Sequence, residues 1–156
     1  MCGQLHRYVK GARSERELIN HFYKNDYSVM RAAGSGVNSL SPDIIVFKGA
    51  RGMAFECKAW DKSTISIEVE KFEELKRWKR NSGMETFIAW RMNGRGWFFI
   101  RLDEMKKAKK NYTVTRRTAT AINRTLDVLI NGGIVAQVME QASASKLADP
   151  QAFGVA

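Results

Sequence analysis

The sequence has few of the residues that build covalent or soft-metal cross-links. It contains only two cysteines, Cys2 and Cys57, and two histidines, His6 and His21. The cysteines show no paired spacing, and the two histidines are too few for a zinc site. These counts argue against a disulfide framework, an iron–sulfur cluster and a zinc site.

Proline and long hydrophobic runs are also scarce. There are two prolines among 156 residues, and 44% of the residues are hydrophobic, which predicts a folded chain with one core. The N-terminus is basic but has no apolar segment like that of a signal peptide, and no stretch approaches the length of a membrane span. We therefore expect no membrane partner and a cytoplasmic, intracellular location.

Acidic residues are outnumbered: 16 Asp and Glu stand against 26 Lys and Arg, for a net charge of +10 and a pI near 9.9. The whole excess lies before Asn131: residues 1–130 carry a net charge of +11 and the remaining residues −1. The basic residues fall into clusters at Arg7, Lys10, Arg13 and Arg16, at Arg31, at Lys76, Arg77, Lys79 and Arg80, and at Lys106, Lys107, Lys109, Lys110, Arg116 and Arg117. Such clusters bind phosphates by counterion release without reading sequence, although any one of them could be a solvated helix face. The composition favours a nucleic-acid partner.

Residues 41–59 carry the most informative pattern. Two β-branched and aromatic runs flank a Gly-containing turn, which predicts a β-hairpin with Asp43 at the start of the first strand and Glu56 and Lys58 on the second. Side chains alternate across a strand, so Glu56 and Lys58 project from one face and Cys57 from the other. Pairing of the strands would bring Asp43 toward Glu56.

Two carboxylates beside an ammonium suit metal-dependent phosphodiester hydrolysis. Carboxylate oxygens are the hard ligands that Mg²⁺ or Mn²⁺ prefers, and such an ion lowers the pKa of bound water and polarises a phosphate oxygen. Close to both acids, Lys58 would stay protonated and act as an electrostatic helper rather than a base. The alternative is a surface hairpin in which Asp43 caps a turn and Glu56 and Lys58 form a solvated pair.

Residues 11–23 predict an amphipathic helix whose apolar stripe is Leu18, Ile19 and Phe22. Glu15 falls on that inward stripe, where an acid needs a partner, and a metal site at the helix–sheet junction would supply one. The alternative for Glu15 is a first-turn residue favoured by the helix dipole, with Ser14 as a local cap. Glu17 lies off the stripe and is expected to be solvated.

The rest of the chain predicts further α/β elements followed by a tail. We expect a helix over 68–80, strands over 86–90 and 97–101 around the Asn93-Gly94 turn, a helix over 119–130 ended by residues 131–133, and a short helix over 134–142. The aromatic residues of the two strands (Trp90, Trp97, Phe98 and Phe99) are interpreted as core or dimer-interface residues rather than base-stacking platforms. The chain thus divides into one α/β domain, 1–118, and a helical, partly flexible extension, 119–156.

Five segments together resemble a known family. They are Gly11-Ala-Arg-Ser-Glu-Arg-Glu-Leu, Met30-Arg-Ala-Ala-Gly-Ser-Gly, Ser41-Pro-Asp-Ile-Ile-Val, Phe55-Glu-Cys-Lys and Gly96-Trp-Phe-Phe-Ile-Arg. In order and spacing they are similar to the archaeal-type Holliday junction resolvases, a branch of the PD-(D/E)xK nuclease superfamily. The resemblance covers about residues 11–101. It implies a restriction-endonuclease-like central mixed β-sheet flanked by helices, here with a C-terminal helical extension.

The resemblance assigns roles residue by residue. Glu15, Asp43, Glu56 and Lys58 match the catalytic residues. Asp43 and Glu56, with the backbone carbonyl of Cys57, match the metal ligands, and Glu15 is a further candidate. The expected DNA contacts combine the matched Arg31 and Ser35 with Ser39 in the same Gly-rich loop and with four residues of the basic clusters: Lys10, Arg13, Lys106 and Lys107.

The function that the resemblance implies is paired, Mg²⁺-dependent cleavage of four-way DNA junctions by a homodimer, in recombination and repair, with Mn²⁺ able to substitute. Two other readings stay open. The metal-binding residues are shared across the superfamily, so the substrate could be linear or otherwise branched DNA. A non-catalytic DNA-binding module is the third reading, against which the intact Asp43, Glu56 and Lys58 argue.

Overall fold

The computed structural model describes residues 2–32 and 40–132 of the chain, with side chains from residue 11 onward. The chain divides into two compact units, Met1–Leu126 and Asp127–Ala156. Of the second unit, residues 127–132 are described, and they are helical. The architecture below is that of the first unit.

The first element is a long helix, α1, Cys2–Lys24. It contains the predicted segment 11–23 and begins earlier than expected. Leu18 and Phe22 are fully buried on its inward side, as the apolar stripe predicts. The helix ends where Asp26 adopts a left-handed conformation with φ of 62°, and the side chain of Asn25 donates a hydrogen bond to the carbonyl of His21 at 2.8 Å.

Among the described residues up to Ile122, eight strands and two more helices follow, together with a 3₁₀ turn at Leu102–Glu104. The strands are β1 (Ser28–Arg31), β2 (Ile44–Lys48), β3 (Arg51–Lys58), β4 (Thr64–Glu68), β5 (Glu85–Met92), β6 (Gly96–Arg101), β7 (Lys106–Lys107) and β8 (Asn111–Thr115). The helices are α2 (Val69–Ser82) and α3 (Arg116–Ile122). No helix among the described residues is both long enough and apolar enough to cross a membrane.

The strands form two sheets. The larger sheet has the order β1-β2-β3-β5-β6, with β3 and β5 parallel and the other neighbours antiparallel. The smaller sheet has the order β4-β8-β7 and is antiparallel. The central mixed sheet with flanking helices confirms the predicted fold class, and the predicted hairpin is formed by β2 and β3.

The two faces of the larger sheet bury different side chains. On one face Phe22 of α1 stacks on Phe55 at a ring distance of 5.1 Å, and the rings of Phe87 and Phe99 continue this aromatic layer. On the other face Ile88 and Trp90 belong to a core that also contains Phe72 and Leu75 of α2. Trp97 and Phe98 are buried as well, so the core reading of these aromatic residues is confirmed.

The later elements differ from the expectations in two respects. The smaller sheet was not predicted, since no expectation was made for its strands β4, β7 and β8. The single helix expected over 119–130 is broken: α3 ends at Asn123 in a left-handed conformation with φ of 52°, and helix resumes at residue 126. Between them the chain turns to the edge of β6, where Phe99 N donates to the carbonyl of Arg124 at 2.9 Å.

The expected end of that helix also differs. Residues 131 and 132 are still helical, although asparagine and glycine commonly end helices. Gly133 and the short helix predicted over 134–142 lie outside the described residues. The division into a domain at 1–118 and an extension at 119–156 stays a prediction.

Candidate active site

The β2–β3 hairpin places Asp43 and Glu56 side by side. Ile44 lies opposite Phe55 in the antiparallel register, so Asp43, one residue earlier, lies opposite Glu56 one residue later. Residues opposite each other project from the same face with Cβ atoms about 5 Å apart. The backbone N–H of Cys57 donates to Asp43 Oδ2 at 2.8 Å, which fixes the carboxylate against the end of β3.

Glu56 is buried, with 6% of its side chain exposed, and it lies between two lysines. Lys58 Nζ donates to Glu56 Oε1 at 2.9 Å, so the two neighbours predicted from strand alternation do meet. Lys71 Nζ of α2 lies 3.2 Å from Glu56 Oε2. This is an ion-pair contact without the geometry of a hydrogen bond, and Oε2 accepts no hydrogen bond from the described residues.

Burial and neighbouring charges shift the pKa values of Asp43 and Lys58. Burial raises the pKa of Asp43 to about 6, and the negative charges of Glu56 and Glu15 add to the rise, against the opposing effects of the Cys57 N–H and Lys58. Burial alone would lower the pKa of Lys58, but the charge and hydrogen bond of Glu56 outweigh it and the pKa is raised. Lys58 therefore keeps its proton at neutral pH, as an electrostatic helper requires.

Glu15 has a partner other than the expected metal. Its Oε2 accepts a hydrogen bond from Arg31 Nε at 2.9 Å and lies 2.7 Å from Arg31 Nη2 in an ion pair. The fork of the guanidinium thus joins α1 to the end of β1. Glu15 is near enough to raise the pKa of Asp43, so the structure brings together the four residues expected to be catalytic.

The expected DNA contacts are only partly described. Arg13 on α1 and Arg31 at the end of β1 are exposed, as are Lys106 and Lys107 on β7. Lys10 lies within α1, but its side chain is outside the described residues. Ser35 and Ser39 belong to the segment that the structure does not describe.

Lys71 is a site residue that sequence reasoning missed. Besides its contact with Glu56, it donates to the carbonyl of Ser41 at 2.8 Å, two residues before Asp43. It therefore ties both carboxylate-bearing strands to α2. In the sequence, Lys71 stands directly before Phe72, next to the apolar stripe of the helix. That position does not identify Glu56 as its partner.

The expectation that Glu17 is solvated was wrong. Its carboxylate accepts from Arg91 Nε at 3.0 Å and from Trp97 Nε1 at 3.1 Å. The helix periodicity placed Glu17 correctly off the apolar stripe of Leu18 and Phe22. It did not show that polar atoms of β5 and β6 would meet that flank of α1.

The oxygen atoms at this site form a partial ligand set for a divalent cation. Among the described side chains, no three from histidine, cysteine, aspartate and glutamate cluster as a complete metal site. What is present is a pair of adjacent carboxylates, the partly buried Asp43 and the buried Glu56, whose Oε2 accepts no hydrogen bond from the described residues, with the backbone of Cys57 beside them. Such oxygen donors suit Mg²⁺ or Mn²⁺ when water or a phosphate completes the coordination.

Comparisons with known proteins agree on one family. The model of the archaeal Holliday junction resolvase family (Hjc) matches residues 6–133. The chain is 28% identical over 106 residues to the crossover junction endodeoxyribonuclease Hjc of Archaeoglobus fulgidus, covering 67% of this chain and 78% of that protein. It is 33% identical over 113 residues to the enzyme of the same name from Methanocaldococcus jannaschii, covering 72% and 80%.

The comparison of folds finds the same family. The solved structure of Archaeoglobus fulgidus Hjc, a Holliday junction resolvase, superimposes with a TM-score of 0.66 at 25% sequence identity. The match covers 71% of this chain and 93% of that structure.

Proposed function

The chain belongs to the archaeal Holliday junction resolvase family, and we propose that it resolves four-way DNA junctions by paired, metal-dependent hydrolysis of symmetrically related strands. One observation carries the proposal to this chain. Asp43, Glu56 and Lys58 lie together on the β2–β3 hairpin, inside the segment that the family model matches. A protein that only binds DNA gains nothing from two adjacent acids facing a polyanion.

Asp43, Glu56 and the carbonyl of Cys57 would hold the metal, which we propose to be Mg²⁺ with Mn²⁺ able to substitute. A divalent ion in such a site supplies an activated water and polarises a phosphate oxygen. The pKa of Asp43 is raised by burial first and by the negative charge of Glu56 second. A cation at this site offsets the mutual repulsion of the two carboxylates.

Lys58 has a separate task in the proposed reaction. Its ammonium donates to Glu56 and stays protonated, so it can stabilise negative charge that develops on the phosphate and orient the attacking water. Lys71 acts through Glu56 and the carbonyl of Ser41. It is a positioning residue that holds the carboxylate of Glu56 against the hairpin.

Binding of the DNA backbone is assigned to exposed basic residues. Arg13, Lys106 and Lys107 are exposed and would neutralise phosphates without reading bases. Lys10, Ser35 and Ser39 are retained as further phosphate contacts. Arg31 would both hold Glu15 and face the DNA, because about half of its side chain is exposed.

A homodimer is part of the proposal. Paired cuts in symmetrically related strands need two active sites at a fixed separation, and a two-fold symmetric dimer supplies them. Recognition then rests on the shape of the junction rather than on base contacts.

Substitution of the two carboxylates tests the site assignment. Asp43→Asn and Glu56→Gln should each abolish cleavage of a labelled junction in Mg²⁺ while junction binding in EDTA changes little, because metal affinity is lost and no basic residue is removed. Glu73→Gln, on the exposed side of α2, is the matched control and should cleave normally. Substantial Mg²⁺-dependent cleavage by either site variant would contradict the assignment.

A further inference from the structure

The loop over residues 59–63 presents an exposed tryptophan beside the catalytic hairpin. Trp60 follows Lys58 by two residues and has 38% of its surface exposed. Trp90 and Trp97, by contrast, are buried in the sheet. An exposed indole contributes little to the core, so its position suggests a binding role.

The backbone of this loop is held from several sides. The indole N–H of the buried Trp90 donates to the carbonyl of Trp60 at 2.8 Å. Arg116 Nη2 donates to Asp61 Oδ1 at 2.8 Å and to the carbonyl of Lys62 at 2.9 Å, and Arg116 N donates to the carbonyl of Ser63 at 2.7 Å. Trp60 is thus presented by a fixed backbone, which lowers the entropy lost when a ligand binds.

A cation accompanies the ring. Lys62 Nζ lies 5.1 Å from the centre of the Trp60 ring, within the range of a cation–π contact. An aromatic face next to a lysine is the combination that binds single-stranded nucleic acid, since the ring stacks on a base and the ammonium meets the phosphate. An acidic peptide would use the lysine but has less need of the flat ring.

We propose that Trp60, with Lys62, is a stacking platform for a base that has lost a stacking neighbour at the branch of the DNA substrate. Two residues of chain span at most about 7 Å, which corresponds to about two nucleotide steps along a DNA strand. A base held by Trp60 would therefore lie within a few nucleotides of the phosphate that Lys58 meets. The assignment rests on the proposed function, because base stacking is interrupted at the branch of a four-way junction and continuous within a linear duplex.

The test uses a four-way junction with 2-aminopurine at successive positions around the branch, bound in EDTA so that no strand is cut. Wild-type protein should quench the emission at one or two branch positions. Trp60→Ala should lose the quenching and bind the junction about tenfold more weakly, within the range measured for base–aromatic stacking. Trp60→Phe should keep most of the affinity, and Tyr23→Ala, which removes another exposed aromatic ring, should behave like wild type.

The substitution leaves the loop's anchors in place, because Trp90 bonds to the backbone of Trp60 and Arg116 to that of Lys62. A second measurement avoids the variants altogether. Junctions carrying 5-iodouracil at the quenched positions are irradiated with wild-type protein, and the cross-linked peptide is mapped. A cross-link at Trp60 supports the platform, and cross-links only at other residues overturn it.

Failure of the platform and failure of the proposed function give different results. Normal junction binding with no Trp60-dependent quenching and no Trp60 cross-link overturns the platform alone. Absence of junction binding by the wild type overturns the proposed function. In that case the same probes in single-stranded DNA decide the platform: Trp60-dependent quenching there supports stacking on unpaired bases, and its absence overturns it.

Discussion

Glu56 is the residue on which the site depends most, because a buried acid needs its counter-charges. Lys58 reaches it from the same strand and Lys71 from α2. The second lysine also holds the carbonyl of Ser41, so it fixes the distance between the two strands that carry the acids. Residues that orient metal-binding groups in this way commonly affect activity without contacting the substrate.

Lys71→Met should therefore reduce the cleavage rate by about 10- to 100-fold, in the range found for such supporting residues. The Mg²⁺ concentration needed for half-maximal cleavage should rise, while the affinity for the junction in EDTA should stay near that of wild type. Lys76→Met on the same helix, whose partner is the exposed Glu73, is the matched control. An unchanged Mg²⁺ requirement in Lys71→Met would contradict the positioning role.

Asp43 should make the metal-free protein less stable as the pH rises. Its pKa in the folded state is about 6 against an ordinary value of 3.8, so the folded state holds the proton more tightly and stability falls between about pH 4 and pH 6. Asp43→Asn cannot ionise. In EDTA it should match wild type near pH 4 and exceed it above pH 6, by a free energy of unfolding on the order of 1–3 kcal/mol.

Denaturant unfolding at several pH values measures this difference. Mg²⁺ at neutral pH should then stabilise the wild type and leave Asp43→Asn unchanged, since a ligand stabilises only the state that binds it. An equal stabilisation of both proteins by Mg²⁺ would show that Asp43 is not a ligand.

At the level of elements, the segment after α3 is fastened to the end of β6. Arg124 donates to the carbonyl of Phe99 at 2.9 Å and makes two hydrogen bonds of 2.8 Å to the carboxylate of Glu104. Glu104 also accepts from the backbone N–H of Arg101 at 2.7 Å. This network explains why the chain leaves the helix at Asn123, since the edge of β6 offers backbone groups that need partners.

The network predicts a pH dependence at the acidic end. Burial pushes the pKa of Glu104 up, but the hydrogen bonds from Arg124 and Arg101 outweigh it and leave the pKa below its ordinary 4.5. The stabilisation is thus complete above pH 4.5 and lost as the pH falls through the lower folded-state value. The melting temperature of wild type should exceed that of Glu104→Gln at neutral pH, and the gap should close on acidification.

A double-mutant cycle with Arg124→Gln isolates this pair. The coupling between the two substitutions should be present at pH 7 and should shrink as the pH falls below 4.5. A coupling that is the same at both pH values would assign the effect to packing rather than to the ion pair.

The elements that the sequence predicts well are those whose signal is local. The pattern of strand-forming residues on either side of a turn was enough to predict the β2–β3 hairpin. The apolar stripe of Leu18 and Phe22 was enough to predict the inner part of α1. Glu56 and Lys58 could be placed on one face from strand alternation, and Asp43 could be placed toward the same end because a hairpin register follows from its turn.

The contacts that were missed join distant parts of the chain. Lys71 meets Glu56, Glu17 meets Arg91, and Arg124 meets Glu104, and nothing in the local pattern of either partner identifies the other. The break in the helix at Asn123 has the same origin. Pairing with the edge of β6 outweighs the local helix propensity of this segment. Tertiary contacts of this kind cannot be read from periodicity.

At the level of the whole molecule, charge and site are complementary. The net charge of +10 draws the DNA backbone to the protein, whereas the adjacent acids at the end of the hairpin would repel it without a cation. Attraction by the surface and a metal requirement at the centre are both expected of a nuclease. The separation of the two sites in a dimer would then select the four-way junction among DNA shapes.

The most direct test compares cleavage of an immobile four-way junction with that of a linear duplex built from the same arms, in Mg²⁺ and in EDTA. We expect paired, symmetric nicks in the junction, in Mg²⁺ only, with the linear duplex left intact. Equal cutting of the linear duplex would make the protein a general nuclease of this fold. Tight junction binding without cleavage would make it a binding module, and either result would contradict the account.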